Sequence, residues 1–320
     1  MARLHRTLAW CLMAGSILTA VSCTHTAAQP ATGSQREALP PWLDTTGVNI
    51  EQDIEYANVD GTSLKLDAYL PEQEGPHPAI VHIHGGGWRN GDKSSHAVDA
   101  VTWAKAGVAS FSLNYRLSGV ATYPAAVDDC VAAVKFIRAN AERFNIDIDN
   151  MAVRGGSAGG HLALMMAFLE PDVDETNAAG QPIQNRFVCV SAKNPPTDLS
   201  AADMAGEPAL VAFMAGTVQE HPDDYRQGSP LTHVSADDPP VLVMHGTEDR
   251  TVPYTQATLL EALLKQVGVP VELVTVQGAG HGLRNGAPED VRAALQREND
   301  FLAEHLGVTA PPPRQPRGGR

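Results

Sequence analysis

The chain has 320 residues, of which 43% are hydrophobic, 5% aromatic and 19% charged, a composition typical of a globular protein with a sizeable core. Aliphatic residues are plentiful in its middle, which disfavours intrinsic disorder. Its 37 acidic and 23 basic side chains give a net charge of −14, which disfavours binding to nucleic acid or to anionic lipid and favours an uncharged substrate.

Residues 1–22 have the pattern of an export signal peptide. Arg3 and Arg6 precede an uncharged apolar run over residues 7–21. A run of about 15 residues is short for a membrane span, which needs roughly 20, but it suits a signal peptide. We therefore expect an exported protein that is periplasmic, anchored to the outer membrane as a lipoprotein, or secreted.

Two cleavage positions compete in this signal. The sequence AVSC at residues 20–23 resembles a bacterial lipobox, in which Cys23 would carry the lipid, although that pattern prefers Leu at the position of Ala20. Cleavage after the small residues 26–28 would instead remove Cys23. Residues 23–49 are rich in small and polar side chains and contain proline, which predicts a tether.

From residue 50 onward, the hydrophobic pattern alternates between strands and helices. Period-two alternation over residues 64–70 predicts a half-exposed antiparallel strand, and short apolar runs predict buried strands. Further strands are predicted at 79–84, 108–114, 151–153, 187–190, 241–244 and 271–276, and helices at 124–144, 158–169, 255–267 and 291–305. Strands separated by helices predict an α/β fold, with a mostly parallel sheet between two layers of helices.

We interpret residues 50–308 as one catalytic domain and residues 309–320, which are rich in proline and arginine, as a disordered tail. A stretch rich in Asp, Pro, Ala and Gly is too long for a plain connection, and we expect a lid over about 192–238, before the strand that carries the candidate acid. Cys130 and Cys189 are predicted to be separately buried thiols, although export would permit a disulfide between them.

The sequence GGSAGG at residues 155–160 lies between a predicted strand and a predicted helix. In this context, G-x-S-x-G forms a sharp turn that exposes the serine hydroxyl at the carboxyl edge of the sheet. Gly155 and Gly159 are needed because side chains would collide across so tight a turn. Ser157 is therefore the candidate nucleophile.

A second glycine motif, HGGGW at residues 84–88, follows the strand predicted at 79–84. Consecutive glycines let backbone N–H groups approach a ligand without obstruction, and an H-G-G-G element in this place supplies an oxyanion hole in α/β-hydrolases. We expect the N–H groups of Gly86 and Gly87, joined by that of Ala158, to hold a developing negative oxygen.

The candidate base and acid also follow predicted strands. His281 lies in a small-residue loop after the strand at 271–276 and can reach the serine without crowding. Asp249 is the candidate acid that fixes the tautomer of His281, and its neighbour Glu248 is the alternative. The chain order of serine, aspartate and histidine is the order expected for α/β-hydrolases.

Together these motifs resemble the α/β-hydrolase carboxylesterases of the hormone-sensitive-lipase-like and feruloyl-esterase-like branch, often labelled BD-FAE. The matching pieces are HGGGW at 84–88, NYRL at 114–117, GGSAGGH at 155–161, HGTEDRTVP at 245–253 and GAGHG at 278–282. The resemblance spans roughly residues 50–306 and implies the α/β-hydrolase fold and the nucleophile, acid, base and oxyanion donors already named. His84, Trp88 and Val252 are the candidates for substrate contact, with Trp88 and the lid shaping the pocket.

Two residues depart from the pattern of this family. His82 stands where the family often has an aromatic residue, and Arg154 stands where it often has a smaller one. Neither belongs to the three catalytic candidates, but both could alter the pocket.

The expected activity is hydrolysis of carboxylic esters through an acyl-enzyme, on short-chain or aromatic esters of the acetyl or feruloyl type that are small molecules or are linked to polysaccharide. No metal or organic cofactor is expected: His82 and His84 could face the same way, but no nearby ligand completes a metal set. An arylformamidase or a serine peptidase of the same fold is an alternative, as is a catalytically silent, lipid-anchored binding protein.

Overall fold

The structure is a computed structural model that describes residues 39–169 and 187–313. The export signal, the lipidation candidate Cys23, the tether up to residue 38 and the tail from residue 314 lie outside the described residues. Among those that are described, no helix combines the length and the apolar composition that a membrane span requires.

In the described part of the chain, eight strands form one sheet in the order β1-β2-β4-β3-β5-β6-β7-β8. β1 pairs with β2, and β2 with β4, in antiparallel fashion, and the other neighbouring strands are parallel. The strands are β1 (Val48–Val59), β2 (Thr62–Pro71), β3 (His77–Ile83), β4 (Ala109–Leu113), β5 (Ile146–Gly156), β6 (Cys189–Lys193), β7 (Val241–Gly246) and β8 (Val271–Val276). The predicted mostly parallel sheet is confirmed.

Helices cover both faces of this sheet. They are α1 (Ala97–Lys105), α2 (Ala125–Ala139), α3 (Ala141–Phe144), α4 (Ala158–Phe168), α5 (Pro208–Phe213), α6 (Pro222–Gln227), α7 (Thr255–Val267) and α8 (Pro288–Leu306). Side chains of β3 alternate between the faces: Val81 belongs to the apolar cluster that includes α2, α4 and α7, whereas Ile80 belongs to the cluster that includes α1 and α8. Burial on both faces explains why the central strands are continuous apolar runs.

The prediction omits the strand β1 and the helices α1, α5 and α6, and it makes one helix too long. β1 contains register shifts at residues 51–54 and 55–57, which interrupt the period-two alternation that reveals a strand. The three omitted helices are short, with 9, 6 and 6 residues. The predicted helix over 124–144 is two helices, because the chain leaves helical geometry at Asn140 and turns left-handed at Asn145 (φ 53°).

The packed domain extends beyond both predicted boundaries, residues 50 and 308. Leu39 and Leu43, assigned to the tether, pack against the apolar cluster beside α1. At the other end, Ala310 packs against the α8 layer, and the Asn299 side chain donates a hydrogen bond to the carbonyl oxygen of Pro311 (3.1 Å). Residues on both sides of 50–308 therefore belong to the packed fold, because their apolar side chains cover its surface.

The predicted lid corresponds to the connection between β6 and β7, over residues 194–240. It carries α5, α6 and a 3₁₀ turn at Pro230–His233. Phe213 at the end of α5 stacks on Trp88 of the glycine motif, with ring centroids 4.6 Å apart. The connection therefore packs directly on the HGGGW loop, and its opening as a lid stays a prediction.

The two internal cysteines are buried and unbonded, as the sequence analysis favoured. Cys130 on α2 packs in the core on one face of the sheet, and Cys189 on β6 packs on the other. Burial raises the pKa of both thiols, so neither is activated as a nucleophile.

The departures at His82 and Arg154 are neighbours in the structure. They are paired in register on β3 and β5, on the face covered by α1 and α8. The Arg154 guanidinium lies 2.9 Å from the buried carboxylate of Glu298 on α8, which also accepts a hydrogen bond from Ser191 (2.9 Å). Arg154 therefore anchors α8 to the sheet, whereas His82 contacts the hydroxyl of Ser110 on β4 (3.2 Å). The expectation that these two residues alter the pocket is not supported by these contacts.

Replacing Glu298 tests this anchor. In Glu298→Ala the Arg154 charge stays buried, and among the described residues Asp99, at 4.0 Å, is its remaining ion-pair partner, so we expect the free energy of unfolding to fall by about 3 kcal/mol. Urea unfolding measures the change. Glu304→Ala is the matched control on the same helix, because Glu304 forms an exposed ion pair with Arg297 and its loss should change stability by less than about 1 kcal/mol. Equal effects of the two substitutions would contradict the assignment.

Candidate active site

The register of the parallel strands brings their carboxyl ends to one edge of the sheet. Ile83 pairs with Gly155, Gly156 with Lys193, and Gly246 with Val276. The loops that leave this edge carry the glycine motif after β3, Ser157 after β5, Asn194 after β6, Asp249 after β7 and His281 after β8. In open α/β sheets, ligands bind outside this edge.

Ser157 is the single residue between β5 and α4. Its backbone has φ 56° and ψ −125°, a strained conformation for a residue with a side chain. The Ser157 N–H donates a hydrogen bond to the carbonyl oxygen of Lys193 (2.7 Å), which ties the turn to the end of β6. The sharp turn predicted from the sequence is therefore present.

The glycines around Ser157 are required by close approach of the backbone. A Cβ atom at Gly155 would lie 2.2 Å from the carbonyl oxygen of Gly159, and one at Gly159 would lie 2.1 Å from that of Ile83. No side chain tolerates such contacts. The first turn of α4 is thus pressed against both β5 and the end of β3.

His281 links the candidate nucleophile to the candidate acid. Its Nε2 atom lies 2.9 Å from Oγ of Ser157, and its Nδ1 atom lies 2.8 Å from Oδ2 of Asp249. An ionised carboxylate only accepts hydrogen bonds, so Nδ1 carries the proton and Nε2 is free to accept from the serine hydroxyl. Asp249, rather than Glu248, is the carboxylate that contacts His281.

Asp249 is buried, but its carboxylate accepts several hydrogen bonds. Its Oδ1 accepts hydrogen bonds from the N–H groups of Thr251 and Val252, both at 2.9 Å. Burial alone would raise the pKa of Asp249, but contacts with the His245 and His281 side chains and with the Val252 N–H outweigh burial and hold that pKa well below its usual range. Asp249 is therefore an anion that can stabilise a positively charged His281.

Asn194 is a site residue that the sequence analysis missed. It is fully buried and has a left-handed backbone (φ 49°), and its amide donates a hydrogen bond to Oδ2 of Asp249 (2.8 Å), the oxygen that also contacts His281. A polar residue directly after a buried strand, at the edge where the other candidates lie, was the signal that could have revealed it.

His245 supports the acid from the other side. Its Nε2 lies 2.9 Å from the carbonyl oxygen of Val252 and 3.5 Å from Oδ2 of Asp249. The shorter contact requires Nε2 to carry a proton, because a carbonyl oxygen can only accept. His245 thus fastens the turn that presents Asp249.

The glycine motif lies against the serine turn. A Cβ atom at Gly85 would lie 2.5 Å from the carbonyl oxygen of Gly156, and Gly86 has φ 120°. Within residues 39–169 and 187–313, the N–H groups of Gly86, Gly87 and Ala158 have no hydrogen-bond acceptor. These N–H groups are therefore available as donors, and their action as an oxyanion hole stays a prediction.

The candidates for substrate contact are packed into the walls of the site. His84 stacks on Tyr115 with ring centroids 4.4 Å apart, and its Nδ1 contacts the carbonyl oxygen of Gly85. Trp88 and Val252 are each only 3% exposed. Their side chains hold the loops in place, and a direct contact with substrate stays a prediction.

His161, on the first turn of α4, secures Trp88. The indole N–H of Trp88 donates to Nδ1 of His161 (3.3 Å), and Nε2 of His161 donates to the carbonyl oxygen of Gly228 (2.7 Å). Burial lowers the pKa of His161 to about 4, which keeps the ring neutral and able to accept from the indole. This chain of contacts connects the glycine motif with the β6–β7 connection.

The lowered pKa of Asp249 predicts a pH dependence of stability. Its carboxylate stabilises the fold fully above the unfolded pKa of about 3.9, and this contribution is lost as the pH falls through the lower folded pKa. We expect wild type to exceed Asp249→Asn in free energy of unfolding at neutral pH, and the difference to shrink below about pH 4. Urea unfolding across this range measures it, and a difference independent of pH would contradict the bonding described for Asp249.

Comparisons with known proteins identify the family of this chain. The BD-FAE family model matches residues 66–264. The probable carboxylic ester hydrolase LipM of Mycobacterium tuberculosis is 31% identical over 265 residues, which cover 79% of this chain and 60% of LipM. The chain spans between 53 and 60% of the length of three curated mycobacterial relatives that it matches.

Solved structures share the fold. A truncated carbohydrate esterase from gut microbiota superposes with a TM-score of 0.69 at 25% identity, covering 82% of this chain and 98% of that one. Thermogutta terrifontis esterase 2 phosphorylated by paraoxon superposes with a TM-score of 0.63 at 26% identity, covering 82% and 95%. The sequence match over most of the central domain and the common architecture show that this chain is an α/β-hydrolase and belongs to the BD-FAE family.

Proposed function

We propose that the chain is a serine carboxylesterase in which Ser157, His281 and Asp249 act as nucleophile, base and acid. The observation that carries the proposal is the continuous path of hydrogen bonds from Asp249 through His281 to Oγ of Ser157, at 2.8 and 2.9 Å. Relatives named as esterases support the same reaction class.

In the first half of the reaction, Nε2 of His281 accepts the proton of the Ser157 hydroxyl while Oγ bonds to the ester carbonyl carbon. The carbonyl oxygen becomes negative and accepts hydrogen bonds from the N–H groups of Gly86, Gly87 and Ala158. Removing one such donor typically weakens transition-state stabilisation by about 2.7–4 kcal/mol. His281 then gives its proton to the leaving oxygen, the alcohol departs, and the acyl group stays on Ser157.

In the second half, water replaces the alcohol. His281 accepts a proton from water as the water oxygen attacks the acyl carbon, and it returns that proton to Oγ of Ser157 as the acid is released. Asp249 stays ionised throughout and stabilises the protonated His281. Asn194 and the N–H groups of Thr251 and Val252 fix the carboxylate, so that little reorganisation accompanies each proton transfer.

We expect the substrates to be short-chain or aromatic esters, which include acetyl and feruloyl types. Phe213 of the β6–β7 connection stacks on Trp88, and a Cβ atom at Gly87 would lie 3.0 Å from Cβ of Ala209 on α5. This crowding beside one of the proposed oxyanion donors favours a small acyl group. The structural relative named as a carbohydrate esterase supports polysaccharide-linked esters as one source of such groups.

Substituting the nucleophile tests the reaction. We expect Ser157→Ala to lower kcat/KM for 4-nitrophenyl acetate by at least about a thousandfold, because the acyl-enzyme cannot form. Release of 4-nitrophenolate measures the rate. Ser95→Ala, at an exposed position in the 3₁₀ turn Lys93–His96, is the matched control and should retain full activity.

A covalent label provides an independent readout. Because the Thermogutta terrifontis enzyme is described as phosphorylated by paraoxon, paraoxon should add one phosphoryl group to wild type and none to Ser157→Ala, as measured by intact mass. Full esterase activity in Ser157→Ala, or labelling of that variant equal to wild type, would overturn the assignment of the nucleophile.

We further propose that the chain is exported and that Cys23 is lipidated, on the basis of the sequence AVSC at residues 20–23. Bacterial cells that express the full chain should incorporate radiolabelled palmitate into wild type and into Cys11→Ala, but not into Cys23→Ala. Cys11 is the matched control because it lies within the predicted signal. Equal labelling of all three chains would refute the lipoprotein proposal and favour ordinary signal cleavage.

A further inference from the structure

A cavity of about 470 Å³ opens beside His281. It is formed by the turn after β7, which contributes Glu248, Arg250 and Thr251, and by the loop after β8, which contributes His281 and Arg284. Ligand sites are clefts of roughly 300–1,000 Å³, so this one has room for a small ring or a sugar-sized group. Its lining is polar, unlike the aromatic contacts around Trp88.

Arg250 and Arg284 are both exposed at this cavity, and in the described part of the chain neither side chain has an ion pair or a hydrogen bond. Arg116 and Arg154, by contrast, are each paired with a carboxylate, at 2.7 and 2.9 Å. Since the protein has 37 acidic and only 23 basic side chains, two unpaired guanidinium groups on one cavity are unexpected.

The charges of the lining favour an anion. Among the described residues of the cavity, Glu248 is the one acidic side chain, against Arg250 and Arg284. Asp249, directly behind His281, is an anion already held by Asn194, His281 and two backbone N–H groups, so at the open cavity two guanidinium groups face the one carboxylate of Glu248. A guanidinium group presents planar, paired donors that match the geometry of a carboxylate.

The cavity meets the reacting groups through His281, because Ser157 is not among its described lining residues. In the proposed mechanism, His281 gives its proton to the leaving oxygen of the alcohol. The alcohol portion of an ester therefore lies beside this ring, whereas the acyl portion lies at Ser157 and the oxyanion donors. A group attached to the alcohol can extend between the two loops that bear the arginines.

We propose that this cavity is the alcohol subsite and that Arg250 and Arg284 bind a carboxylate carried by the alcohol. The substrate class is then an acyl ester of a hydroxy acid, such as an acidic sugar. The acyl group passes to Ser157, and the hydroxy acid leaves with the proton that His281 took from the serine. The proposal rests on the esterase function. It assigns to the site a preference for an anionic alcohol group, whereas the net charge of −14 favours an uncharged substrate.

The test compares two acetyl esters that differ in one group. 4-Acetoxybenzoate carries a carboxylate on its leaving phenol, and 4-acetoxybenzamide carries a neutral amide in the same place. The ratio of kcat/KM for the anionic ester to that for the neutral ester is measured in wild type, Arg250→Gln, Arg284→Gln and the double variant. An effect of a substitution that is common to both esters cancels in this ratio, and the difference in intrinsic reactivity between the esters cancels when the ratio is compared between variants.

We expect each single substitution to lower the ratio by roughly tenfold, the size of one charge-assisted hydrogen bond, and the double variant to lower it further. The change should come mainly from KM for the anionic ester. Added salt should lower the wild-type ratio, because exposed charges are screened. Arg292→Gln, at an exposed position on α8, is the matched control and should keep the wild-type ratio.

The carboxylate subsite and the esterase function are contradicted by different results. Hydrolysis of the neutral ester by wild type, with the same ratio in all variants, would overturn the carboxylate subsite and leave the esterase function intact. If wild type hydrolyses neither the anionic nor the neutral ester, both proposals are overturned. A ratio that falls equally in Arg292→Gln would show a general effect of surface charge and would also overturn the subsite.

Discussion

Backbone segments meet at the carboxyl edge of the sheet more closely than any side chain would allow. Atoms placed at Cβ of Gly155 or Gly159 would fall within 2.2 Å of carbonyl oxygens, so β5, the first turn of α4 and the end of β3 lock together only with glycine at those positions. This contact forces Ser157 into its strained turn and sets its hydroxyl toward His281. The glycine loop after β3 is held against the same turn, and among the described residues the N–H groups of Gly86 and Gly87 have no acceptor.

The second constraint is the burial of Asp249. Removing a carboxylate from water disfavours its charge, and the protein offsets that effect with hydrogen bonds from Asn194, from two backbone N–H groups and from His281. The same bonds that stabilise the anion also fix the tautomer of His281. Stability and the proposed chemistry therefore depend on one set of contacts, and neither can be altered alone.

Charge acts locally in this molecule. The net charge of −14 is a sum over the whole chain, whereas a bound group responds to the side chains within a few ångströms of it. On the face of the sheet that α8 covers, Arg154 is neutralised by Glu298 and holds that helix in place. At the cavity beside His281, Arg250 and Arg284 face solvent without partners among the described residues, which is where a negatively charged group would be favoured.

The sequence by itself determined the α/β architecture and the chain positions of Ser157, Asp249 and His281. These could be predicted because apolar periodicity and glycine turns are local signals, and because the carboxyl ends of parallel strands share one edge. It missed β1, whose register shifts disturb the alternation, and it could not show that Asn194 meets Asp249, 55 residues later in the chain. Tertiary structure alone decided that contact, the pairing of Arg154 with Glu298 and the meeting of two arginines at one cavity, since strand order and helix placement determine which distant residues touch.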